Sequence, residues 1–519
     1  MKHEKLKDAL SELQDRHVDE AVRYKKRSYL PWVSAVAAVL AVAILASTLL
    51  RPKNPGSNTT LFSDNPQASG DPLPSTALPP DEDNTTAPSA PGHEEEVRPP
   101  DAPNHDIYLS HLVAKPIYPT MAIRPEIVED GDYDAWYADQ LAMHTQPEGY
   151  ADSLQDFWEE LNQAILADNG GSNVTCSPVN IYLALAMLAE TTGGESQQQI
   201  LEALGADSIQ SLRTQAKQVW QGHYNNDGLS TSVLANSLWL EENYGFNMDT
   251  INLIAENYYA SVFQGDVGSE EMTQALKAWL NEQTGGLLEE QIGNLVLDPD
   301  SVLALASTIY YKVQWAGWFI EEKNAEDTFH GVKGDTTETF MNKTLSSGSY
   351  YWDEHFGATS LSLQDGSRMW LFLPDEGFAP EDIVKDVHSF LQGDPDRSVN
   401  QRILQINLSL PKFDISADLD LKDTLKQMGI TDVFDSMKAD FSPLLTWDDK
   451  GVISDARHAA RVTINEKGVT AAAYTLILRD PTSAPPAGNE MDFVLDRPFM
   501  FYIESEDGLP LFTGIVNEP

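Results

Sequence analysis

The sequence predicts a large α+β domain carried behind one membrane-spanning helix and a disordered tether, and three observations point to it. Ala151–Asn169 sets Leu154, Phe157, Trp158, Leu161, Ile165 and Leu166 at helical spacing. Ile403–Leu410 alternates Leu404, Ile406, Leu408 and Leu410 with Gln405, Asn407 and Ser409, the pattern of a half-buried strand. Leu30–Leu50 runs for 21 residues without a charge, about 31 Å as a helix and so long enough to cross a bilayer. Helical segments come early and strand segments late, which favours a mixed domain over regularly alternating units.

Residues 1–29 read as a cytoplasmic leader. Leu6, Leu10, Leu13 and Val18 make one narrow apolar stripe in it, too little to specify a partner helix. Residues 30–50 read as an uncleaved anchor. Eight Lys and Arg precede the run, and only Arg51 and Lys53 follow it closely, so the positive-inside rule keeps the N-terminus cytoplasmic and puts everything after Leu50 outside the cell. A cleaved signal peptide is the rival reading. The long charged leader, the length of the run and the lack of an A-x-A site weigh against it. Residues 51–107, rich in Pro, Ser, Asn, Asp and Thr, cannot form a core and read as a disordered linker, spanning roughly 40 Å as a flexible coil. The Asn-Thr-Thr triplets at Asn58 and Asn84 fit a glycosylation pattern short enough to recur by chance.

The globular domain is assigned to residues 108–519, with Leu112–Pro125 as an irregular lead-in. Thr231–Leu240 and Met369–Leu373 are further strands. The net charge of -46 argues against nucleic acid and anionic membrane surfaces as partners. A single cysteine, Cys176, excludes an internal disulfide and reads as a small buried hydrophobe. No nucleophile elbow, H-E-x-x-H, Walker A loop or metal-spaced Cys pair occurs, so no enzymatic reading, metal or cofactor is supported. His93 with Glu94, Glu95 and Glu96 reads as a solvated acidic run.

One segment stands apart. Gly468–Leu478 is eleven residues without charge in a chain that is 22% charged, and it runs into the loop punctuation Pro481-Thr482-Ser483-Ala484-Pro485-Pro486. Extended, it would place Val469, Ala471, Ala473, Thr475 and Ile477 on one face, able to enter a sheet without stranding a charge.

These residues, EKGVTAAAYT at 466–475, resemble the hinge of the serpins, the serine-protease-inhibitor superfamily. The likeness extends over 108–519. NVTCSP (173–178) with the helix after it, ALKAWLNEQTGGLLEEQI (275–292), IYYKVQWAGWF (309–319), LPKFDISADLDLKDTLKQMGITDVF (410–434), ADFSPL (439–444) and DRPFMFYIESEDGLPLFTGIVNEP (496–519) all carry it. It implies three β-sheets with packed helices and an exposed reactive-centre loop. It also implies a function: suicide inhibition of extracellular serine proteases, or cysteine proteases, by insertion of the cut loop into a sheet. The implied hinge is Glu466, Gly468, Val469, Ala471, Ala472 and Ala473; the implied shutter and breach residues are Ser177, His458 and Trp315. Departures from the family pattern stand at Val469, usually Thr or Ser, at Ser307, often Asn, and at Val313, often Gly.

Counting along the usual loop length puts the scissile bond at Thr482-Ser483. An uncharged β-branched Thr482 suits the small or medium apolar pocket of an elastase-like or subtilisin-like protease. Arg479 is a competing site that would leave a shorter inserting arm. Heparin-binding members carry a basic cluster where Ser211–Asn226 offers only Arg213 and Lys217, so glycosaminoglycan is not expected as a partner. The alternative function is a non-inhibitory binding or structural module, which charged or bulky hinge residues would mark.

Overall fold

The computed structural model describes residues 106–519 apart from 123, 125–131, 168, 229, 290–291, 294, 299–300, 394–399, 447–450, 454–455 and 470–488. Among the described residues no helix is long and apolar enough to cross a membrane. The leader, the 30–50 span and the tether up to residue 105 lie outside them, as do Ala471, Ala472, Ala473, Thr482 and Ser483.

The chain opens with α1 (Asp106–Leu109), β1 (Leu112–Ala114), α2 (Asp132–His144) and α3 (Gln155–Leu166). Next come β2 (Val174–Cys176), α4 (Pro178–Thr191), α5 (Gly194–Ala203), α6 (Ile209–His223), β3 (Asn225–Asn226), β4 (Thr231–Glu241), α7 (Met248–Asn257), β5 (Ala260–Gly265) and α8 (Glu270–Gln283). The second half is richer in strands: β6 (Leu303–Gln314), β7 (Ala325–Gly331), β8 (Gly334–Trp352), β9 (Phe356–Ser362), β10 (Arg368–Pro374), α9 (Pro380–Gln392), β11 (Asn400–Pro411), β12 (Phe413–Asp420) and α10 (Lys422–Gln427). It closes with β13 (Arg457–Asn465), β14 (Gly468–Val469), β15 (Glu490–Val494), β16 (Phe499–Glu504) and β17 (Pro510–Val516).

Where the resemblance implies three sheets, the hydrogen-bonded ladders form two. One is eight-stranded, in the order β1-β5-β4-β6-β14-β13-β12 with β3 on β4; the other is nine-stranded, β15-β11-β8-β9-β10-β16-β17-β2 with β7 on β8. The merger has a simple cause. β8 runs 19 residues, its lower part pairing with β7 and its far end with β9, so one strand belongs to two layers that a shorter strand would leave separate.

Helix α4 is buried on all sides, which explains its apolar sequence: Ser177 is its extended N-cap residue, Pro178 fixes the first turn, and Ile181, Tyr182, Leu185 and Leu188 pack inside the main core. Phe157, Trp158, Leu161, Ile165 and Leu166 of α3 are buried as their spacing predicts, and Leu404, Ile406, Leu408 and Leu410 turn inward from β11. Cys176 is fully buried and burial pushes its thiol well up. The lead-in is less irregular than its sequence suggests. Leu112 and Ala114 pair with Phe263 and Val262 of β5, making a strand through a partner about 150 residues away in the chain, and the helix α2 follows.

Candidate functional site

The site lies where β13 ends and turns back as β14. Trp315, 1% exposed at the end of β6, donates its indole N–H to the Asn465 carbonyl at 2.8 Å and its backbone N–H to Lys467 O at 3.0 Å. The Glu466 carbonyl accepts from Phe319 N at 3.1 Å. Its carboxylate meets Lys412 Nζ at 2.5 Å and the Asn324 side-chain amide. Burial pushes that carboxyl up, but the bonds from Lys412 and Asn324 outweigh it and hold the group below the ordinary range. The turn is therefore clamped from four sides before the chain reaches Gly468.

Gly468 and Val469 then enter between two long strands. Gly468 pairs with Asn465 and Gln314, and Val469 with Ile464 and Val313, antiparallel on both sides. Among the described residues β6 and β13 share no ladder of their own; β14 stands between them. Val469 is 2% exposed. Glycine is required at 468, because φ is +154° and a Cβ there would drive into the Val313 carbonyl and lie 2.6 Å from the Gln314 Cα. Gly468→Ala is therefore expected to unseat β14 without disturbing the core, read as faster amide exchange at Val469 with exchange in β4 and β16 unchanged.

Further along the same pair of strands, His458 of β13 is 2% exposed, and its Nε2 accepts the backbone N–H of Ser177 at 3.0 Å. The sequence-predicted pair is thus brought together, though through the Ser177 backbone; the Ser177 hydroxyl is buried with no hydrogen-bond partner. Across the gap, Ser307 Oγ lies 2.7 Å from the side-chain oxygens of both Asn180 and Asn236. A hydroxyl has one proton to donate, so with Asn236 Oδ1 as its acceptor the Asn180 amide, turned over, would donate Nδ2 to Ser307 Oγ. Asn180 and Asn236 are site residues that the sequence reading missed; Asn180, three positions after Ser177 in the Ser-Pro helix start, was the available signal. A cavity of ≈ 50 Å³ lies here, lined by Ile181, Leu185 and Leu188 of α4 with Leu305, Ser307 and His458 of the two strands.

Burial holds the His458 imidazole down at about 4. Its unfolded value is about 6.5, so the unfolded chain takes up a proton first as pH falls. The stability that neutral His458 contributes is complete above about 6.5, declines by about 3 kcal/mol down to pH 4, and is constant below that. His223 has the opposite sign: although burial lowers its pKa, Asp507, with its carboxylate 3.2 Å away, raises it overall. Its contribution is lost as pH rises through the folded value. His458→Gln keeps an acceptor for Ser177 without a titrating group. Urea unfolding from pH 7 to pH 4 should accordingly lose about 3 kcal/mol less stability in the variant than in the parent, and equal losses would exclude His458 as the group responsible.

Among the described residues no group of His, Cys, Asp and Glu is placed to hold a metal ion. Among the described residues the site therefore consists of two long strands, β14 seated between their ends, and a polar latch at Ser307 and His458 further along.

A family profile described as serpin, serine protease inhibitor, matches residues 152–519. Alpha-1-antiproteinase from Rattus norvegicus is 30% identical over 383 residues, 71% of this chain and 88% of its own length. Leukocyte elastase inhibitor from Sus scrofa is 28% identical over 371 residues, 69% of this chain and 97% of its own. The native-state crystal structure of tengpin, a thermophilic serpin, superposes with a TM-score of 0.64 at 27% identity, covering 72% of this chain and 95% of that one. With the profile spanning well over half of its length and this fold around it, the chain belongs to the serpin family.

Proposed function

We propose that this serpin is a membrane-anchored suicide inhibitor of extracellular serine proteases, cut at Thr482-Ser483 and trapping its protease by insertion of the cut loop between β6 and β13. Family membership supports serine protease inhibition in general and places the chain with a family of inhibitors rather than enzymes. The observation that carries the finer reading is the seating of Gly468 and Val469 between the two strands, antiparallel to both. Continuing that register puts Ala471 opposite Tyr311 and Val462, Ala473 opposite Ile309 and Ala460, and Thr475 opposite Ser307 and His458. Small or hydroxyl-bearing residues would thus meet each layer, and the hydroxyl would arrive at the polar latch. Val469 in place of Thr or Ser leaves no hydroxyl to satisfy at its 2% exposed position.

The target is proposed to have a small or medium apolar specificity pocket, elastase-like or subtilisin-like, because Thr482 is uncharged and β-branched. Incubating the full chain with a panel of such proteases should give an SDS-stable complex that appears together with the released C-terminal fragment. Fragment without complex at every enzyme would favour the non-inhibitory alternative.

The anchor is proposed from residues 30–50 and the positive flank before them. Protease added to intact cells is expected to remove residues beyond about 51 while leaving the leader inside. A domain protected from added protease, or a mature chain starting after residue 50, would dismiss the anchor.

A further inference from the structure

At the C-terminal end of α6 a buried histidine sits between two oxygens. The His223 side chain is 2% exposed; its Nδ1 lies 2.6 Å from the Val219 carbonyl, one turn back in the helix, and its Nε2 lies 3.2 Å from Asp507 Oδ1. A neutral imidazole has one N–H, so it would turn a lone pair on one of these acceptors. Only the imidazolium satisfies both, and the helix C-terminus favours its charge. Two carboxylates act on it: Asp507, in the turn between β16 and β17, which also accepts from Ser505 and Tyr150, and Asp365, in the turn between β9 and β10, whose own carboxyl burial pushes up. His144 of α2 is the other titratable group close by, its Nε2 2.8 Å from the carbonyl of Tyr224, the next residue. Burial pushes the Asp507 carboxyl up, yet His223, Ser505 and Tyr150 hold it well below the usual carboxylate range, so above neutral pH it is the histidine that gives up its proton.

The pair joins two layers. Trp220, one turn before the end of α6, donates its indole N–H to Leu234 O of β4 at 2.8 Å, and β4 is laddered to β6 along its length, so α6, β4 and β6 form one body. Asp507 belongs to the nine-stranded sheet. β6 makes a second tie to that sheet, where Tyr311 donates to Asp365 Oδ2 at 2.9 Å. β13, in turn, is held to the end of β2 in the same sheet through His458 and Ser177. β6 therefore parts from β13 by sliding over the nine-stranded sheet, a motion that draws His223 away from Asp507.

We propose that protonated His223, paired with Asp507, is a proton-controlled brake on the parting of β6 and β13, engaged at neutral pH and released as pH rises through the histidine's titration. The brake acts on the space beside β14 and holds whether or not a protease is trapped. On the inhibitory reading above, its release would speed insertion.

The test uses the full chain, with histidine Cε1 carbons labelled for NMR titration and amide protection at Val469 followed from about pH 6 to about pH 9. Parental His223 should titrate above about 6.5, and protection at Val469 should fall about 10-fold across that same titration while β10 keeps its own. Asp507→Asn keeps the shape of the partner and removes its charge, so His223 should titrate at lower pH and the fall in protection should move down with it. His223→Gln should lose the pH-dependent fall altogether. A parental His223 that titrates at or below about 6.5, or protection at Val469 that stays level through its titration, overturns the brake. A parent that traps no protease yet shows both the fall and its shift in the Asp507 variant keeps the brake and removes the inhibitory reading alone.

Discussion

Cutting the full chain between Thr482 and Ser483 is expected to raise its thermal midpoint by about 10 °C or more, whereas nicking an ordinary surface loop lowers it or leaves it unchanged. The expectation follows from the state of β6 and β13. Both are long strands, both are buried on the inner face, and between them only Gly468 and Val469 make ladder bonds among the described residues. Residues that follow Val469 between the strands would add one N–H and one C=O bond each, directed alternately to β6 and to β13, worth about 0.5–1.5 kcal/mol net apiece. Val469 is already buried, and Ile477 has the same parity, so apolar burial adds to the ladder. On the insertion reading, a chain held on one side by β14 and on the other by β15 cannot enter fully until it is cut, so cleavage would release the lower free-energy state. Differential scanning calorimetry of cut against uncut protein measures the difference. An unchanged midpoint after confirmed cleavage at this bond would leave the family assignment standing and transfer the function to a non-inhibitory binding module.

Local pattern carried part of this structure and long-range pairing the rest. The helix at Phe157–Leu166 and the strand at Leu404–Leu410 are legible because one face of each is buried, and burial imposes its period on the sequence. The run beyond Gly468 stands out for the complementary reason: uncharged, alternating and beside Pro-rich punctuation, its sequence reads as a strand where a loop is punctuated. β1 was not legible, since Leu112–Ala114 becomes a strand only by pairing with Val262 and Phe263. The polar latch was legible in half. Ser177 and His458 came from motifs, but Asn236 reaches Ser307 from another strand and no spacing in the chain announces it. Gly468 was singled out by its sequence context, while the reason it must be glycine, the Val313 carbonyl against its missing Cβ, exists only in three dimensions.

Ala471→Arg should convert the protein from an inhibitor into a substrate, cut at the same bond with no trapped complex. Two residues beyond Val469 in the same register, position 471 would come between Tyr311, 3% exposed, and Val462, 1% exposed. A guanidinium carried into that layer has no carboxylate opposite it in either strand, and burying an unpaired charge costs several kcal/mol at the least. The penalty falls early in insertion, when few new ladder bonds have formed to offset it. Trapping depends on a race between insertion and deacylation, so a barrier raised by about 3 kcal/mol slows insertion more than 100-fold and gives the race to deacylation. The uncut chain should keep its fold and midpoint, because residue 471 lies beyond the seated pair. Ala473→Glu, opposite Ile309 and Ala460, should behave alike, and Ala471→Ser, small and uncharged, should retain inhibition. Complex and cleaved product are counted on one SDS gel at fixed protease. If the arginine variant traps as much protease per mole as the parent, the loop does not enter between β6 and β13 in this register and the insertion mechanism fails for this chain.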